Sequence, residues 1–233
     1  MSPRVIERET RDKGVSSEFE ESGTVPDTFY AKHGKRAMDI VGASIGLLIL
    51  SPLFAAVAGC IGLTSRGPVF FRQVRMGKNQ RTFRIVKFRS MVDGRVKQGS
   101  AITIAGDQRV TTIGRFLRRY KIDELPQLWN VLRGEMSLVG PRPELPEYVD
   151  LYTPQQRAVL HVRPGITDPA SLVYRNEEDL LAAHTDPEQF YRTQILPDKL
   201  ARNIAYLKSM SLTHDLRLIF KTVASAFLFT NKL

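Results

Sequence analysis

Several things are scarce in this chain of 233 residues, and each scarcity excludes something. The only cysteine, Cys60, lies in an apolar run, so no intrachain disulfide can form. That fits a reducing compartment. The four histidines, His33, His161, His184 and His214, are scattered and offer no zinc spacing. No Walker-type glycine-rich loop is present, and no internal repeat. Acids are nearly missing between residues 64 and 121, which hold fifteen Lys/Arg against Asp93 and Asp107 alone. Charge of either sign is missing altogether from residues 40–63.

What is present is a basic chain of net charge +10, long enough for one domain with a real core plus extensions. The crowded cations attract phosphate-bearing partners: a nucleotide, a nucleic acid or an anionic membrane surface. Residues 1–31 are polar, without a sustained period and without a secretory pattern, and read as a flexible tail. Lys32, Lys35 and Arg36 then introduce the uncharged stretch, and Arg66, Arg72, Arg75 and Lys78 follow it. By length it is a membrane helix, which needs about 20 residues. Ser51 and Pro52 fall at its middle, where a proline breaks or bends a helix. Basic flanks favour the cytoplasm, and here both flanks are basic. The expectation is a re-entrant helix over 32–65, broken at Ser51 and Pro52, that returns to the side it entered. The alternative is a kinked spanning helix with Gly42 and Gly46 as a dimerisation face.

Residues 66–233 read as a cytoplasmic domain. Residues 69–74 and 82–88 are rich in β-branched and aromatic residues around a turn at Gly77, Lys78 and Asn79, which predicts a β-hairpin. Lys87 and Arg89 share one strand face there. Residues 91–106 read as a loop. Ile113, Phe116, Leu117 and Tyr120 have the spacing of a buried helical stripe, with Thr111 or Thr112 as its cap. That helix ends near Tyr120 and another begins around Asp123, because Pro126 is tolerated only in a first turn. Leu125, Leu128, Trp129 and Leu132 form its apolar face, with Trp129 in the core. The fold class expected is α+β, mostly helical with a small hairpin, membrane-associated through the Ser-Pro-broken helix.

Asp123 and Glu124 thus fall at a helix start among Arg118, Arg119 and Lys121. As capping residues they are worth about 1 kcal/mol. As an ionised pair among cations they are chemistry. Arg142 stands between Pro141 and Pro143, a stiff backbone suited to bidentate grip on a phosphate or to a structural salt bridge. Arg163, Pro164 and Gly165 form a second stiff basic turn. Residues 213–228 carry Leu216, Ile219, Phe220, Val223 and Phe227 on one side, a stripe that packs on the domain or lies at a membrane surface.

Taken together, the broken apolar helix, KFRSM at 87–91, IDELPQLWNVL at 122–132, GEMSLVGPRP at 134–143 and RPGIT at 163–167 resemble the bacterial sugar transferases known as monotopic phosphoglycosyl transferases, in their minimal catalytic form. The resemblance covers about residues 32–167 and implies a reaction. A sugar-1-phosphate moves from a nucleoside diphosphate sugar, usually a UDP-sugar, to a polyprenyl phosphate at the cytoplasmic face of the bacterial inner membrane, initiating glycan assembly with Mg²⁺ as cofactor. It implies Asp123 as a nucleophile forming a covalent phosphosugar, with Glu124 beside it to bind Mg²⁺ or orient the nucleophile, Asp123 being the other candidate metal ligand. It implies Lys87, Arg118 and Arg142 as the phosphate-binding cations, and Ser51 and Pro52 as the helix break. Expected partners are those two substrates and the membrane, with a homo-oligomer allowed and nucleic acid not expected. After RPGIT the chain departs from the family's pattern over residues 168–173, with Asp168, Pro169, Ala170, Ser171, Leu172 and Val173, so no sugar identity is carried over. The competing reading is a membrane-tethered basic module that binds anionic lipid or nucleic acid without catalysis.

Overall fold

The computed structural model describes residues 25–92 and 102–228. The tail expected over 1–31 and the loop expected over 91–106 thus lie partly outside the described residues. A π-type turn, Tyr30–Gly34, leads into α1 (Lys35–Thr64). The antiparallel hairpin β1 (Phe70–Met76) and β2 (Thr82–Phe88) follows, in register from Phe70↔Phe88 to Met76↔Thr82. Then come α2 (Thr112–Arg119), a 3-10 turn at Ile122–Glu124, α3 (Gln127–Leu132), β3 (Ser137–Val139) and α4 (Pro146–Val149). The chain continues through β4 (Gly165–Thr167), α5 (Pro169–Val173), α6 (Glu177–Ala182), α7 (Pro187–Phe190), α8 (Leu196–Lys208) and α9 (Leu212–Leu228). Among the described residues the architecture is mostly helical with two small sheets, in line with the expected α+β class.

The expected break is not a gap: α1 runs without interruption through Pro52. Pro52 has no N–H to give Leu48, four residues back. The Ser51 hydroxyl donates to that carbonyl instead, at 2.8 Å, so the helix carries its proline without an orphaned acceptor.

α1 is moored along its length. Lys35 Nζ reaches Asp215 Oδ2 at 2.5 Å and Tyr206 Oη at 3.2 Å. Arg36 donates to the Val131 and Leu132 carbonyls at 2.7 and 2.9 Å, at the C-terminal end of α3. Asp39 accepts from Leu138 N and Ser137 Oγ, both at 2.9 Å. Further on, Ala43 joins a core with Ile85, Leu128, Val131 and Met136, and Val57 and Ile61 join another with Phe88 and Leu117. A Cβ on Gly42 would lie 2.7 Å from Leu138, and one on Gly46 3.1 Å from Leu128. The small-residue face is therefore spent on this chain's own domain rather than left for a dimer. On its other side α1 leaves Ile40, Val41, Ile45, Leu48 and Ile49 exposed.

Trp129 is not in the core; it is 53% exposed. The short α3 turns Leu128 and Val131 inward together with Asn130, whose amide is committed to β2: Val86 N donates to Oδ1 at 3.0 Å and Nδ2 donates to Arg84 O at 2.9 Å. That polar clamp rotates Trp129 outward. The largest core lies on the C-terminal side, where Val139, Tyr148, Leu160, Ile195, Leu200 and Leu207 meet. α9 splits its expected stripe. The fully buried Asp215 fixes its rotation, so Ile219 packs partly inward beside the buried Leu218 while Leu216, Phe220 and Val223 face out. The side chain of Phe227 lies outside the described residues.

Candidate active site

The two stiff basic turns are neighbours. β3 and β4 pair in parallel, Ser137↔Gly165 and Val139↔Thr167. Gly140 N donates to Thr167 O at 3.0 Å and Gly165 N to Pro141 O at 2.9 Å. A Cβ on Gly165 would sit 2.1 Å from Gly140 N, so the close approach requires glycine. This ladder presents Arg142. α2, capped by Thr111 Oγ1 accepting from Gly114 N at 2.9 Å, ends at Arg119. Lys121 then takes a left-handed conformation, φ 56°, and redirects the chain into the 3-10 turn. Asp123 and Glu124 therefore precede α3, which starts at Gln127 rather than around Asp123. Neither carboxylate caps a helix here, which removes the plain structural reading of the pair.

Both carboxylates are buried, Asp123 6% and Glu124 9% exposed. Their surroundings differ. Glu124 Oε1 accepts from Lys87 Nζ at 2.7 Å and Arg142 Nη2 at 2.5 Å, and Oε2 accepts from Arg142 Nη1 at 3.2 Å. Burial alone would push the Glu124 carboxyl up. The Arg142 guanidinium and the Lys87 ammonium outweigh it and hold the group well below the usual carboxylate range. Asp123 Oδ1 is buried with no partner. Burial, then the charge of Glu124, pushes its carboxyl up; Lys87, Arg118 and Lys121 offset only part of this. The basic run thus fails to secure Asp123 in the ionised form as strongly as its sequence neighbours suggest. Burial also pushes the Lys87 ammonium down, against the pull of Glu124.

The structure so brings together four of the residues singled out: Lys87, Asp123, Glu124 and Arg142. Arg118 is beside them but pairs with Glu178 on α6. Arg89 leaves the Lys87 face; its Nη2 donates to Ser65 O and Oγ at 2.8 Å, closing the end of α1. Ser51 and Pro52 lie at the middle of α1. Residues without a sequence signal join the site. Arg75 Nη1 donates to Pro143 O at 3.3 Å, beside Arg142. Asp168 reaches across to the backbone of Arg142 at 3.1 Å.

A family model described as bacterial sugar transferase matches residues 30–228. The chain belongs to that family. This sugar transferase is 41% identical over 202 residues to the UDP-N-acetylgalactosamine-undecaprenyl-phosphate N-acetylgalactosaminephosphotransferase of Aeromonas hydrophila, a match covering 85% of this chain and 44% of the relative. It is 40% identical over 194 residues to the UDP-glucose:undecaprenyl-phosphate glucose-1-phosphate transferase of Caulobacter vibrioides, covering 82% of this chain and 68% of the relative. It is 40% identical over 206 residues to the exopolysaccharide production protein PSS of Rhizobium leguminosarum bv. phaseoli, covering 82% and 94%. The chain thus spans under half the length of the first of these and most of the last.

Proposed function

We propose that this protein transfers a sugar-1-phosphate from a UDP-sugar to a polyprenyl phosphate through a covalent aspartyl phosphosugar, at the cytoplasmic face of the bacterial inner membrane. The observation that carries the reading is the division of the carboxylate pair. Glu124 is saturated by Lys87 and Arg142, whereas Asp123 keeps one oxygen without a partner. A fixed anion holds two cations beside a free carboxylate. The free one attacks the phosphorus that bears the sugar. Its new O–P bond forms as the bond to UMP breaks, and UMP leaves with that electron pair. A phosphate oxygen of the polyprenyl phosphate then attacks the same phosphorus. The Asp123–phosphorus bond breaks, the carboxylate returns, and a polyprenyl diphosphate sugar is released. Lys87 and Arg142 are placed to neutralise the diphosphate that would otherwise repel an approaching carboxylate.

Among the described residues no group of three or more His, Cys, Asp or Glu gathers as a metal cage. Mg²⁺ needs none: it is commonly held by one or two carboxylates with substrate phosphates and water. Asp123 suits that role better than Glu124, whose oxygens are already committed to Lys87 and Arg142. When bound, Mg²⁺ would supply further charge neutralisation on the diphosphate.

A bend of α1 at Pro52 lets it enter the membrane and return to the same side. Three features support this: contacts to the domain at both ends of the helix, Gly42 and Gly46 turned onto that domain, and an apolar outer face. Single cysteines at 34 and 67 in a Cys60→Ser background test it; both should be protected from external labelling of intact cells, and labelling of one end alone means a spanning helix. The chemistry is tested with a panel of UDP-sugars and Mg²⁺. Without lipid, enzyme should release up to one equivalent of UMP and gain the mass of a sugar phosphate on the peptide containing Asp123. Adding polyprenyl phosphate should remove that mass. Competent enzyme that releases no UMP until lipid is present refutes the covalent route, and a label on Glu124 exchanges the roles of the pair.

A further inference from the structure

The turn that carries Arg142 has a single backbone donor. Pro141 and Pro143 have no N–H, so across these three residues only Arg142 N can be used to orient the peptide. Its acceptor is Asp168 Oδ2, at 3.1 Å. Asp168 is 1% exposed and belongs to another element, the cap of α5. It is gripped from two further directions. Ser171 N donates to Oδ1 at 2.5 Å, and Asn203 Nδ2 on α8 donates to Oδ2 at 3.0 Å. One buried carboxylate therefore joins the 141–143 turn, α5 and α8. On the far side of the same residue, the Arg142 guanidinium spans both oxygens of Glu124, adjacent to Asp123.

We propose that Asp168 is a positioning residue for the transfer reaction: it fixes the peptide of Arg142 and thereby aims the guanidinium at the diphosphate of the sugar donor. Asp168 touches no substrate and acts only through Arg142. The inference rests on the transferase reading for what Arg142 grips, and on the geometry for how Arg142 is held. Three N–H donors converge on two carboxylate oxygens. An amide offers one oxygen and turns an NH₂ toward a donor, so Asp168→Asn removes at least one of these bonds without changing the volume. Misplacing a charged group by an ångström costs up to about 100-fold, so a tenfold or greater loss is expected.

The test is a double-mutant cycle on the full chain in lipid nanodiscs, crossing Asp168→Asn with Arg142→Gln. Two readouts are taken: affinity for inorganic pyrophosphate by calorimetry, and UMP release from the UDP-sugar that supports turnover. Asp168→Asn should weaken both by about tenfold or more with Arg142 present. In the Arg142→Gln background it should change them less than about twofold, because the group it aims is gone. Asn203→Ala loosens the same carboxylate from α8 and should show the same dependence on Arg142 in weaker form. It serves as the cycle partner if Asp168→Asn does not fold. Equal losses in both backgrounds mean general damage to the fold and overturn the proposal, as does a variant that binds and turns over like wild type. If pyrophosphate binding couples as expected while wild type releases no UMP from any sugar donor, the transferase reading falls and the positioning role stands.

Discussion

Replacing Asp123 by Asn should make the protein more stable at neutral and alkaline pH while abolishing turnover. The carboxylate is 6% exposed, one of its oxygens is buried without a partner, and an ionised Glu124 lies beside it. An unsatisfied buried polar group costs about 1–3 kcal/mol, and more when charged. The amide keeps an unpaired atom but drops the charge and the repulsion from Glu124. The net gain should then be about 1–2 kcal/mol, or roughly 3–6 °C for a chain of this size. The sign with pH follows from the upward shift. A carboxyl whose pKa is raised by folding leaves stability intact below its unfolded value, and takes it away as pH climbs through the folded value. The melting temperatures of Asp123→Asn and wild type should therefore nearly coincide at pH 4 and separate as pH rises to 8. Thermal unfolding of the two proteins in matched detergent, followed by tryptophan emission across that range, reads this directly. A gap that widens toward acid, or a variant no more stable than wild type at pH 8, refutes the claim that the nucleophile candidate is a destabilising buried charge. Turnover cannot refute it, since every scheme that uses Asp123 predicts an inactive variant.

Glu124→Gln should do the opposite. It strips Lys87 and Arg142 of their shared anion, at a cost of about 3–5 kcal/mol. Because folding lowers the Glu124 pKa, that contribution is present above the unfolded value and fades as pH falls through the folded one. Chemical denaturation at pH 7 and pH 3 should show a large difference between variant and wild type at the first and a smaller one at the second. Gly165→Ala drives a methyl group to 2.1 Å from Gly140 N, so it should separate β3 from β4 and reduce UMP release at least 100-fold; near-normal turnover would show that the ladder does not set Arg142. Lys35→Met leaves Asp215 as an uncompensated buried charge and should cost about 3–5 kcal/mol, whereas Lys35→Met with Asp215→Leu should recover part of the loss.

Much of the scaffold was legible because local rules decide it. The hairpin follows from its β-branched strands, α2 from its apolar spacing and the Thr111 cap, and α1 from an uncharged run of helical length. The site was legible as a set of residue types, not as a set of bonds. Nothing local says that Glu124 takes both cations and Asp123 neither; that depends on β2 and the 141–143 turn arriving on one side of the pair. Arg118 meets Glu178 across 60 residues, and Asp168 meets Arg142 across 26, distances at which periodicity carries no signal. The apolar spacing of α3 puts Trp129 in the core only if its polar neighbour is left out. Asn130 is buried because it serves β2, and on a helix of six residues one such clamp outweighs an indole.

The ion pair between Lys35 and Asp215 joins residues 180 positions apart, and this has a consequence for how the protein is made. At about 5–20 residues per second, a ribosome needs roughly 9–36 seconds to extend the chain from one to the other. For most of that interval the apolar helix already exists, while the carboxylate that anchors its first turn has not been synthesised. Newly made chains must keep the Lys35 ammonium in water, at the membrane surface, until α9 emerges. α1 can reach the bilayer early, but it can be locked at its final depth only as one of the last events of synthesis.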